Sequence, residues 1–281
     1  MKRIYLILLV ISPVLTRAQW HVNVFGGFSN YSGELQSKTF TLDQSFAAFG
    51  LGLQYDLTNH FSLLSGINLG HLGAADKFNK PELQPRNLSF QTKIAEWNVI
   101  GEYNFFDLTE KRFTPYVFAG LAVYHFNPYA YDTLQQKVYL RPLSTEGEGL
   151  PEYPGRKYYS LTQLAIPFGA GIKLRISDNV ILAYEISFRK LFTDYLDDVS
   201  TTYVDQATLL RERGPEAVQM AYRGNQVKNG NPNYPVDDSK RGSSNANDWY
   251  YFSGIRVSIA INNGANRFHG RGIMECPKPV N

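Results

Sequence analysis

Two histidines are the first residues whose chemistry could serve catalysis. His71 and His125 each lie near one end of a stretch in which apolar residues alternate with polar or small ones. An imidazole works as a general base only when a nucleophile lies within hydrogen-bond reach. No spacing of serine and aspartate around either histidine specifies such a partner. The pattern therefore favours two histidines at a polar boundary, and no catalytic residue is predicted.

An acidic run is the second candidate. Asp194, Asp197, Asp198 and Asp205 lie in one segment, and carboxylates at this density can bind Ca²⁺. Their spacing matches no calcium-binding loop, so a solvated loop is favoured. Since the sequence also has no phosphate-cradling glycine loop and no His/Cys cluster for zinc, neither a metal nor a cofactor is predicted. We expect Asp194, Tyr195, Asp197 and Asp198 to contact a partner instead.

The third candidate is a lone thiol. Cys276 is the single cysteine among 281 residues, which excludes a disulfide within one chain. In an oxidising compartment a lone cysteine suggests an intermolecular disulfide or a reactive free thiol. We expect Cys276 to bind a partner, with an unpaired thiol on a disordered chain end as the alternative.

The N-terminus predicts export. Lys2 and Arg3 precede an apolar stretch from Ile4 to Leu15, and Thr16-Arg17-Ala18 places small residues before a cleavage site. The stretch is too short for a spanning helix of ~20 residues. We therefore predict a signal peptide at residues 1–18. No cysteine follows the apolar stretch, which excludes a lipoprotein.

The composition is that of an ordered chain with little net charge. Aromatic residues make up 14% and charged residues 19%, a balance that excludes disorder. Removing residues 1–18 takes away three basic residues and no acidic one, which leaves 25 of each sign. A nucleic-acid-binding surface needs a basic excess, so no nucleic-acid partner is predicted.

Eight stretches show the alternation of apolar and polar residues that is typical of β-strands. They cover residues 20–31, 46–56, 61–72, 95–105, 113–126, 164–176, 180–192 and 249–261. The connections between them alternate between short and long. The short ones are 57–60, 107–112 and 177–179, and the two longest are 127–160 and 194–247.

Short turns on one rim and long loops on the other are typical of outer-membrane barrels. The export signal and the even strand count agree with this class. So do aromatic residues near strand ends, namely Trp20, Trp97, Phe105, Phe113, Tyr116 and Trp249. We predict an all-β fold, an eight-stranded antiparallel transmembrane β-barrel with short periplasmic turns and long extracellular loops. It would occupy residues 19–262, followed by a periplasmic C-terminal tail at 263–281. A soluble β-sandwich is the alternative.

Charged residues on the polar strand faces would then point into the lumen. The predicted inward set consists of Glu96, Glu102, Glu185, Lys173, Arg175, Arg189 and Arg256. Eight strands leave room for side chains but not for a water channel. An unpaired charge in such a space costs several kcal/mol. We therefore expect a lumen charge network of structural ion pairs and no pore.

The longest connection is expected to contain structure of its own. Residues 205–213 and 215–222 are predicted to be short helices, the second with Pro215 in its first turn. Residues 224–247 are rich in Gly, Asn, Asp and Ser and are predicted to be mobile. A connection of this length suggests a partner-binding role.

Several segments resemble a known family. They are Arg86-Asn87-Leu88-Ser89-Phe90, Phe113 to Gly120, Leu143 to Gly149, Thr193 to Asp205 and Asp248 to Gly254. Together they are similar to the PorG-like outer-membrane β-barrel protein family, which includes a component of the type IX secretion system. The resemblance covers about residues 20–262, and its most specific part is Thr193 to Asp205.

The resemblance implies a non-enzymatic subunit, integral to the outer membrane and in contact with its lipid and lipopolysaccharide. Such a subunit anchors or positions the periplasmic ring formed by a PorK-like lipoprotein and its PorN-like partner. The machine serves protein transport, and in gliding bacteria it delivers adhesins.

Two alternatives stay open. An OmpA-like barrel could bind an extracellular ligand or a neighbouring outer-membrane protein through loops 127–160 and 194–247. A lipid-modifying enzyme could use His71 or His125, since lipid A-modifying enzymes on eight-stranded barrels carry catalytic residues at similar positions.

Overall fold

The computed structural model describes residues 19–36, 38, 41, 43–243 and 247–261. The predicted signal peptide at 1–18 lies outside the described residues, as does the C-terminal tail with Cys276. Among the helices of the described part, none is long and apolar enough to cross a membrane.

Eight long strands form the body of the molecule. They are β1 Gln19–Ser32, β2 Phe46–Asp56, β3 Phe61–Ala75, β4 Ser89–Asn104, β5 Phe113–His125, β8 Thr162–Arg175, β9 Val180–Leu191 and β10 Trp249–Ala260. Between β5 and β8 the chain forms a short hairpin, β6 Tyr129–Tyr131 and β7 Lys137–Tyr139. Each of the eight predicted strands is present, and β4 begins at Ser89, six residues before the predicted start at Ala95.

The long strands close on themselves. In chain order each one pairs antiparallel with the next, and β1 pairs with β10 from His21↔Ala260 to Ser32↔Trp249. Closure leaves no free edge among these strands. The predicted fold class, a closed eight-stranded antiparallel β-barrel, is confirmed.

The connections separate into two rims. Residues 57–60, 105–112 and 176–179 make short turns at the rim where β1 starts and β10 ends. The opposite rim carries the connections 33–45, 76–88, 126–161 and 192–248. We call the described residues of these four connections the loop cap.

The two faces of each strand differ as the alternation predicts. Large apolar side chains point outward around the barrel and are 36% to 69% exposed, among them Val22, Val24, Phe28, Phe49, Leu51, Leu53, Leu63, Ile67, Leu69, Trp97, Leu121, Leu164, Ile172 and Ile255. We call this set the apolar belt. The opposite faces fill the barrel with polar and aromatic side chains.

Most of the aromatic residues predicted near strand ends point outward, with Trp20, Phe105 and Phe113 each more than 40% exposed. Tyr116 does not, because it follows the inward parity of β5 and is buried in the lumen. Gly171 makes room for it, since a Cβ there would lie 2.6 Å from the Tyr116 ring.

The loop cap has a hydrophobic core of its own that continues from the barrel interior. Helix α1 spans Gln206–Arg213 and helix α2 spans Pro215–Ala221, which confirms both predicted helices. The Asp205 side chain caps α1 by accepting a hydrogen bond from the Thr208 backbone N–H at 2.8 Å. Apolar side chains of both long connections are buried together, including Leu143, Leu150, Leu196, Val199, Val204, Leu209 and Met220.

Candidate functional site

The predicted partner-binding aspartates are buried rather than presented. Asp194, Asp197 and Asp198 are 6%, 1% and 1% exposed, and the Tyr195 ring stacks on Tyr159 with centroids 5.0 Å apart. The expectation of a solvated loop is therefore wrong for these side chains, whereas partner contact by Asp194, Tyr195, Asp197 and Asp198 stays a prediction. The physical reason is that the described residues of 192–248 pack against the other connections of the cap. Their carboxylates therefore accept hydrogen bonds inside the cap.

Asp198 and Glu146 join the two longest connections. Asp198 accepts hydrogen bonds from the Thr145 and Tyr159 hydroxyls, both at 2.6 Å. Glu146 accepts the Thr201 N–H at 2.7 Å and the Thr201 hydroxyl at 2.6 Å. Residues of 126–161 thus pair with residues of the acidic run, and polar contacts hold the two connections together.

Arg241 completes this junction from a segment that was predicted to be mobile. Its guanidinium is 4% exposed and donates to a Glu146 carboxylate oxygen at 2.9 Å and to the Asp198 carbonyl at 2.5 Å. Burial raises the pKa of Asp198 to about 6, and the Arg241 charge limits the rise. The prediction of mobility is wrong at Arg241, because a buried charge fixes the chain that carries it.

The connection 76–88 is tied in by Arg86 and Asp76. The Arg86 guanidinium donates through Nε and Nη2 to the two carboxylate oxygens of Asp76, each at 2.8 Å. Its Nη1 donates to the Arg241 carbonyl at 2.5 Å. A forked arginine–carboxylate pair of this kind is directional as well as charged. The connection 76–88 is thereby positioned against 192–248.

A second group of carboxyls lies next to the Tyr31 hydroxyl, at the end of β1. Oxygens of Glu34, Asp197 and Asp248 lie within 4.8 Å of one another. The Tyr31 hydroxyl contacts Asp197 Oδ2 at 2.6 Å and Asp248 Oδ1 at 2.8 Å. With Asp194, which precedes Asp197 in the chain, these residues form what we call the Tyr31 carboxyl cluster: Glu34, Asp194, Asp197 and Asp248.

Burial shifts the pKa of every member of this cluster upward. Burial and the neighbouring Asp194 raise the pKa of Glu34 to about 7. Burial and Asp197 raise the pKa of Asp194 to about 8, and the nearby Ser200 hydroxyl offsets only part of this. For Asp197 and Asp248, burial followed by carboxyl neighbours raises the pKa well above its usual range. Like charges close together in a buried space therefore resist ionising at the same time.

In the barrel lumen the charged side chains pair. Arg189 donates through Nε and Nη2 to Glu96 at 2.8 and 2.9 Å. Lys173 Nζ lies 2.6 Å and Arg256 Nη1 lies 2.5 Å from carboxylate oxygens of Glu102.

Two members of the predicted lumen set remain, Glu185 and Arg175, and only Glu185 joins the paired charges. Arg256 Nε is 3.3 Å from Glu185, whose carboxylate also accepts the Tyr116 hydroxyl at 2.5 Å. Arg175, also predicted inward, lies at the turn rim, where Nη1 donates to the Thr109 carbonyl at 3.4 Å. It is not brought into the group formed by the other six charges.

The two histidines considered for catalysis are not placed for it. His71 stacks on Phe46 with ring centroids 4.6 Å apart. His125 Nδ1 lies 2.9 Å from the Thr162 hydroxyl at an exposed position. Within the described residues, neither imidazole joins a hydrogen-bonded chain of nucleophile, base and carboxylate.

Several residues of the cap junctions were missed by sequence reasoning. Glu34, Asp76, Arg86, Glu146 and Arg241 are far apart in the chain, and each looks like an ordinary loop charge. The family resemblance was the one available signal, because Arg86 and Glu146 lie in segments that carry it. Asp248 of the Tyr31 carboxyl cluster lies in such a segment too.

These features define a class: a closed eight-stranded antiparallel barrel with an apolar exterior, an ion-paired lumen and a folded loop cap. The family follows from the sequence. Residues 1–212 match the family described as "Domain of unknown function (DUF6089)", and the chain belongs to this family. That description assigns no function, so the PorG-like resemblance stays a prediction.

Other known proteins add little beyond this. No curated protein matches the chain. Neisserial surface protein A (NspA) is similar, with a TM-score of 0.42 and 10% identity over 86% of this chain and 97% of that one. Ail of Yersinia pestis is similar with a TM-score of 0.40 and 8% identity, over 86% of this chain and 98% of Ail. OprG from Pseudomonas aeruginosa is similar with a TM-score of 0.40 and 10% identity, over 86% of this chain and 96% of OprG.

Proposed function

We propose that this protein is an integral outer-membrane β-barrel that serves as a non-enzymatic scaffold. The observation that carries this proposal is the apolar belt, where Phe49 and Leu51 are each 65% exposed and Leu121 is 69% exposed. Soluble monomers rarely expose a contiguous apolar surface of this kind. Because the belt surrounds a closed barrel, lipid is the solvent that fits it.

The lumen supports a scaffold rather than a conduit. Glu96, Glu102, Lys173 and Arg189 are each 1% or 2% exposed, and aromatic side chains fill the space between the pairs. Opening a path would separate paired charges in a narrow space, at a cost of several kcal/mol. The loop cap lies over the end of the barrel opposite the short turns.

The finer role we propose is the one implied by the PorG-like resemblance: an anchor for the periplasmic ring of a PorK-like lipoprotein and its PorN-like partner. The segments that carry the resemblance support shared architecture, since Leu143 to Gly149 and Thr193 to Asp205 meet through Thr145 and Asp198. The proposed role orients the short-turn rim and the C-terminal tail toward the periplasm, where Cys276 would dock onto the ring.

Affinity purification tests this role. The tagged protein is extracted from outer membranes in mild detergent, with and without reductant, beside Cys276→Ser and a variant lacking residues 263–281. The proposal predicts that periplasmic ring proteins copurify with the wild type. Loss under reductant and in Cys276→Ser would assign the contact to the thiol, whereas loss only in the truncation would assign it to the rest of the tail.

A barrel recovered alone from all three strains, with protein secretion intact in its deletion mutant, would contradict the anchor role. Location is a separate outcome. Recovery of the protein in the soluble periplasmic fraction would contradict the whole proposal, including the barrel in lipid.

A specific surface favours a second function, binding of a neighbour through the loops. The hairpin of β6 and β7 exposes Tyr131 by 38%, Leu134 by 75% and Tyr139 by 43% at the far end of the cap. Lys137 Nζ lies 3.8 Å from the Tyr129 ring centroid and 4.5 Å from that of Tyr139. Exposed aromatic and aliphatic residues of this kind mark protein contacts.

Substitutions on the hairpin surface separate the two functions better than a loop deletion does. Removing 224–247 would also remove Arg241, which holds the cap together. Tyr131→Ser with Leu134→Ser changes only exposed side chains. A binder should lose its surface partner in this variant, while an anchor should keep the periplasmic ring proteins.

A further inference from the structure

Four carboxyl groups converge at the junction of the barrel and the loop cap. Glu34 comes from the first connection, Asp194 and Asp197 from the start of the fourth, and Asp248 from its end. Asp197 and Asp248 are 1% and 0% exposed. Oxygens of Glu34, Asp197 and Asp248 all lie within 4.8 Å of one another, a spacing at which one ion can contact all three.

The Tyr31 hydroxyl cannot satisfy both of its carboxyl neighbours as anions. It lies 2.6 Å from Asp197 Oδ2 and 2.8 Å from Asp248 Oδ1, yet it carries a single proton. If both groups are ionised, one of them faces a hydroxyl lone pair in a buried space. The arrangement therefore requires either a proton on a carboxyl or another positive charge nearby.

Asp194 supplies an independent observation. Its side chain is 6% exposed, and both carboxylate oxygens are buried without a hydrogen bond of standard geometry, the Ser200 hydroxyl being the nearby donor. Glu34 Oε2 is likewise buried without a partner. The Asp194 charge acts on both Glu34 and Asp248, so its carboxyl lies near the three groups whose oxygens are within 4.8 Å of one another. Buried polar atoms almost always have partners, and three free carboxylate oxygens call for one.

The nearby guanidinium groups do not fill this role by contact. Arg86 is forked onto Asp76, and Arg241 donates to Glu146, to the Asp198 carbonyl and to the Ala221 carbonyl. Arg86 Nη2 donates to the Glu34 backbone carbonyl at 3.5 Å, and its charge acts on the Glu34 and Asp197 carboxyls.

We propose that Glu34, Asp194, Asp197 and Asp248 form a binding site for a divalent cation of the Ca²⁺ class. Ca²⁺ takes six to eight oxygen ligands in flexible geometry, whereas Mg²⁺ keeps several waters and uses few protein carboxylates. Four carboxyls from three chain segments match the first description. A bound cation would offset two of the four carboxylate charges and join the first and fourth connections at the mouth of the barrel.

The Glu34 end of the cluster is the part nearest to solvent. Glu34 borders a cleft of about 600 Å³ that is also lined by Arg86, Lys240 and Arg241, whereas Asp194, Asp197 and Asp248 do not line it. This inference is independent of the role proposed above, because it concerns the stability of the cap whatever the cap contacts.

Terbium luminescence tests the site directly. Tb³⁺ replaces Ca²⁺ at oxygen sites, and Tyr31 and Trp249 are placed to sensitise its emission. The mature protein in detergent is stripped with EDTA, exchanged into chelator-free buffer and titrated with Tb³⁺. We expect saturable emission that Ca²⁺ displaces and Mg²⁺ does not, together with a rise in thermal midpoint when Ca²⁺ is added.

Matched variants locate the ion. Glu34→Gln and Asp194→Asn should each weaken Tb³⁺ and Ca²⁺ binding by at least about tenfold. Asp43→Asn and Asp237→Asn, exposed carboxyls of the same two connections, should leave binding unchanged. Asp197→Asn tests a third ligand if the variant folds. If it does not fold, Glu34→Gln and Asp194→Asn still test the site.

Two outcomes would overturn the proposal. Emission that is no weaker in Glu34→Gln and Asp194→Asn than in the control variants would mean nonspecific surface binding. Absence of any Ca²⁺ effect on emission and thermal midpoint would mean that protons alone neutralise the cluster.

Discussion

The carboxylate of Glu96 on β4 and the guanidinium of Arg189 on β9 meet across the barrel lumen in a two-point contact, with Oε2···Nε and Oε1···Nη2 distances of 2.8 and 2.9 Å. Three further donors complete the carboxylate shell: the amides of Asn68 and Asn98 and the Tyr250 hydroxyl. With five donors, Glu96 has no remaining need for water. The pair therefore joins β4 and β9 across the lumen through hydrogen bonds that leave no oxygen of Glu96 without a donor.

Removing one partner of this pair should be costly. Arg189→Met leaves the Glu96 charge buried in the lumen with neutral donors only, and a loss of about 3–5 kcal/mol in the free energy of unfolding is expected. The measurement is the urea concentration at which the folded barrel disappears from an unheated SDS gel. The double variant Arg189→Met with Glu96→Leu removes both charges and should recover part of the loss.

The matched control is an exposed ion pair. Arg211 pairs with Glu152 and Glu212 on the cap surface, and its side chain is 58% exposed. Arg211→Met should leave the free energy of unfolding near its wild-type value, because an exposed ion pair contributes little to stability. If Arg189→Met behaved like Arg211→Met, the lumen pair would not fasten the barrel.

Arg241 should control the cap without controlling the barrel. Arg241→Met removes the donor to Glu146 and to two carbonyls, so the cap should open while the strands stay paired. Limited proteolysis of the detergent-solubilised protein should cut residues 224–243 faster than in the wild type, with no change in barrel unfolding.

Lys240 provides the comparison because it is the exposed neighbour of Arg241. Lys240→Met should leave the cleavage rate unchanged. Equal cleavage rates in Arg241→Met and Lys240→Met would show that the buried guanidinium does not order the cap.

The histidines should be dispensable for lipid chemistry. His125 contacts a threonine hydroxyl at an exposed position, and His71 stacks on a phenylalanine ring. Lipid A from strains carrying His125→Ala or His71→Ala should therefore give the wild-type mass spectrum. A change of mass in either strain, reversed by the wild-type gene, would revive the enzymatic alternative.

The barrel and the two cap helices could be predicted from the sequence, whereas the contacts within the cap could not, and the reason is physical. Strand parity is local, so the alternation around Glu96 and Glu102 is enough to place both in the lumen. Cap contacts join residues far apart in the chain, such as Arg86 with the Arg241 carbonyl. An acidic run such as Asp194 to Asp198 has the same composition whether it is solvated or buried, and only the folded connections decide which.

Tyr116 and Arg175 show the limits of parity itself. Tyr116 has the aromatic character of a membrane-interface residue, but its position on β5 sends it inward toward Glu185. Arg175 has inward parity, but it is the last residue of β8 and lies at the turn rim. Near strand ends, the side-chain environment depends on height in the barrel as well as on face.

The pH dependence of the cap follows from the raised pKa of its carboxyls. The pKa of Asp194 is raised to about 8 from 3.8, and that of Glu34 to about 7 from 4.5. Between about pH 4 and pH 8 the folded state binds more protons than the unfolded one, so the free energy of unfolding falls as pH rises. Below pH 4 both states are protonated and the stabilisation is complete.

In EDTA, the wild-type cap should therefore be more resistant to proteolysis and urea at pH 5 than at pH 8. Asp194→Asn should flatten this dependence and stabilise the cap at pH 8 by about 1–3 kcal/mol, since it removes a buried, unpartnered charge. Asp43→Asn should keep the wild-type slope. Adding Ca²⁺ should reduce the wild-type slope as well, because a bound cation competes with protons for the same carboxyls. A slope unaffected by both Asp194→Asn and Ca²⁺ would place its origin outside the Tyr31 carboxyl cluster.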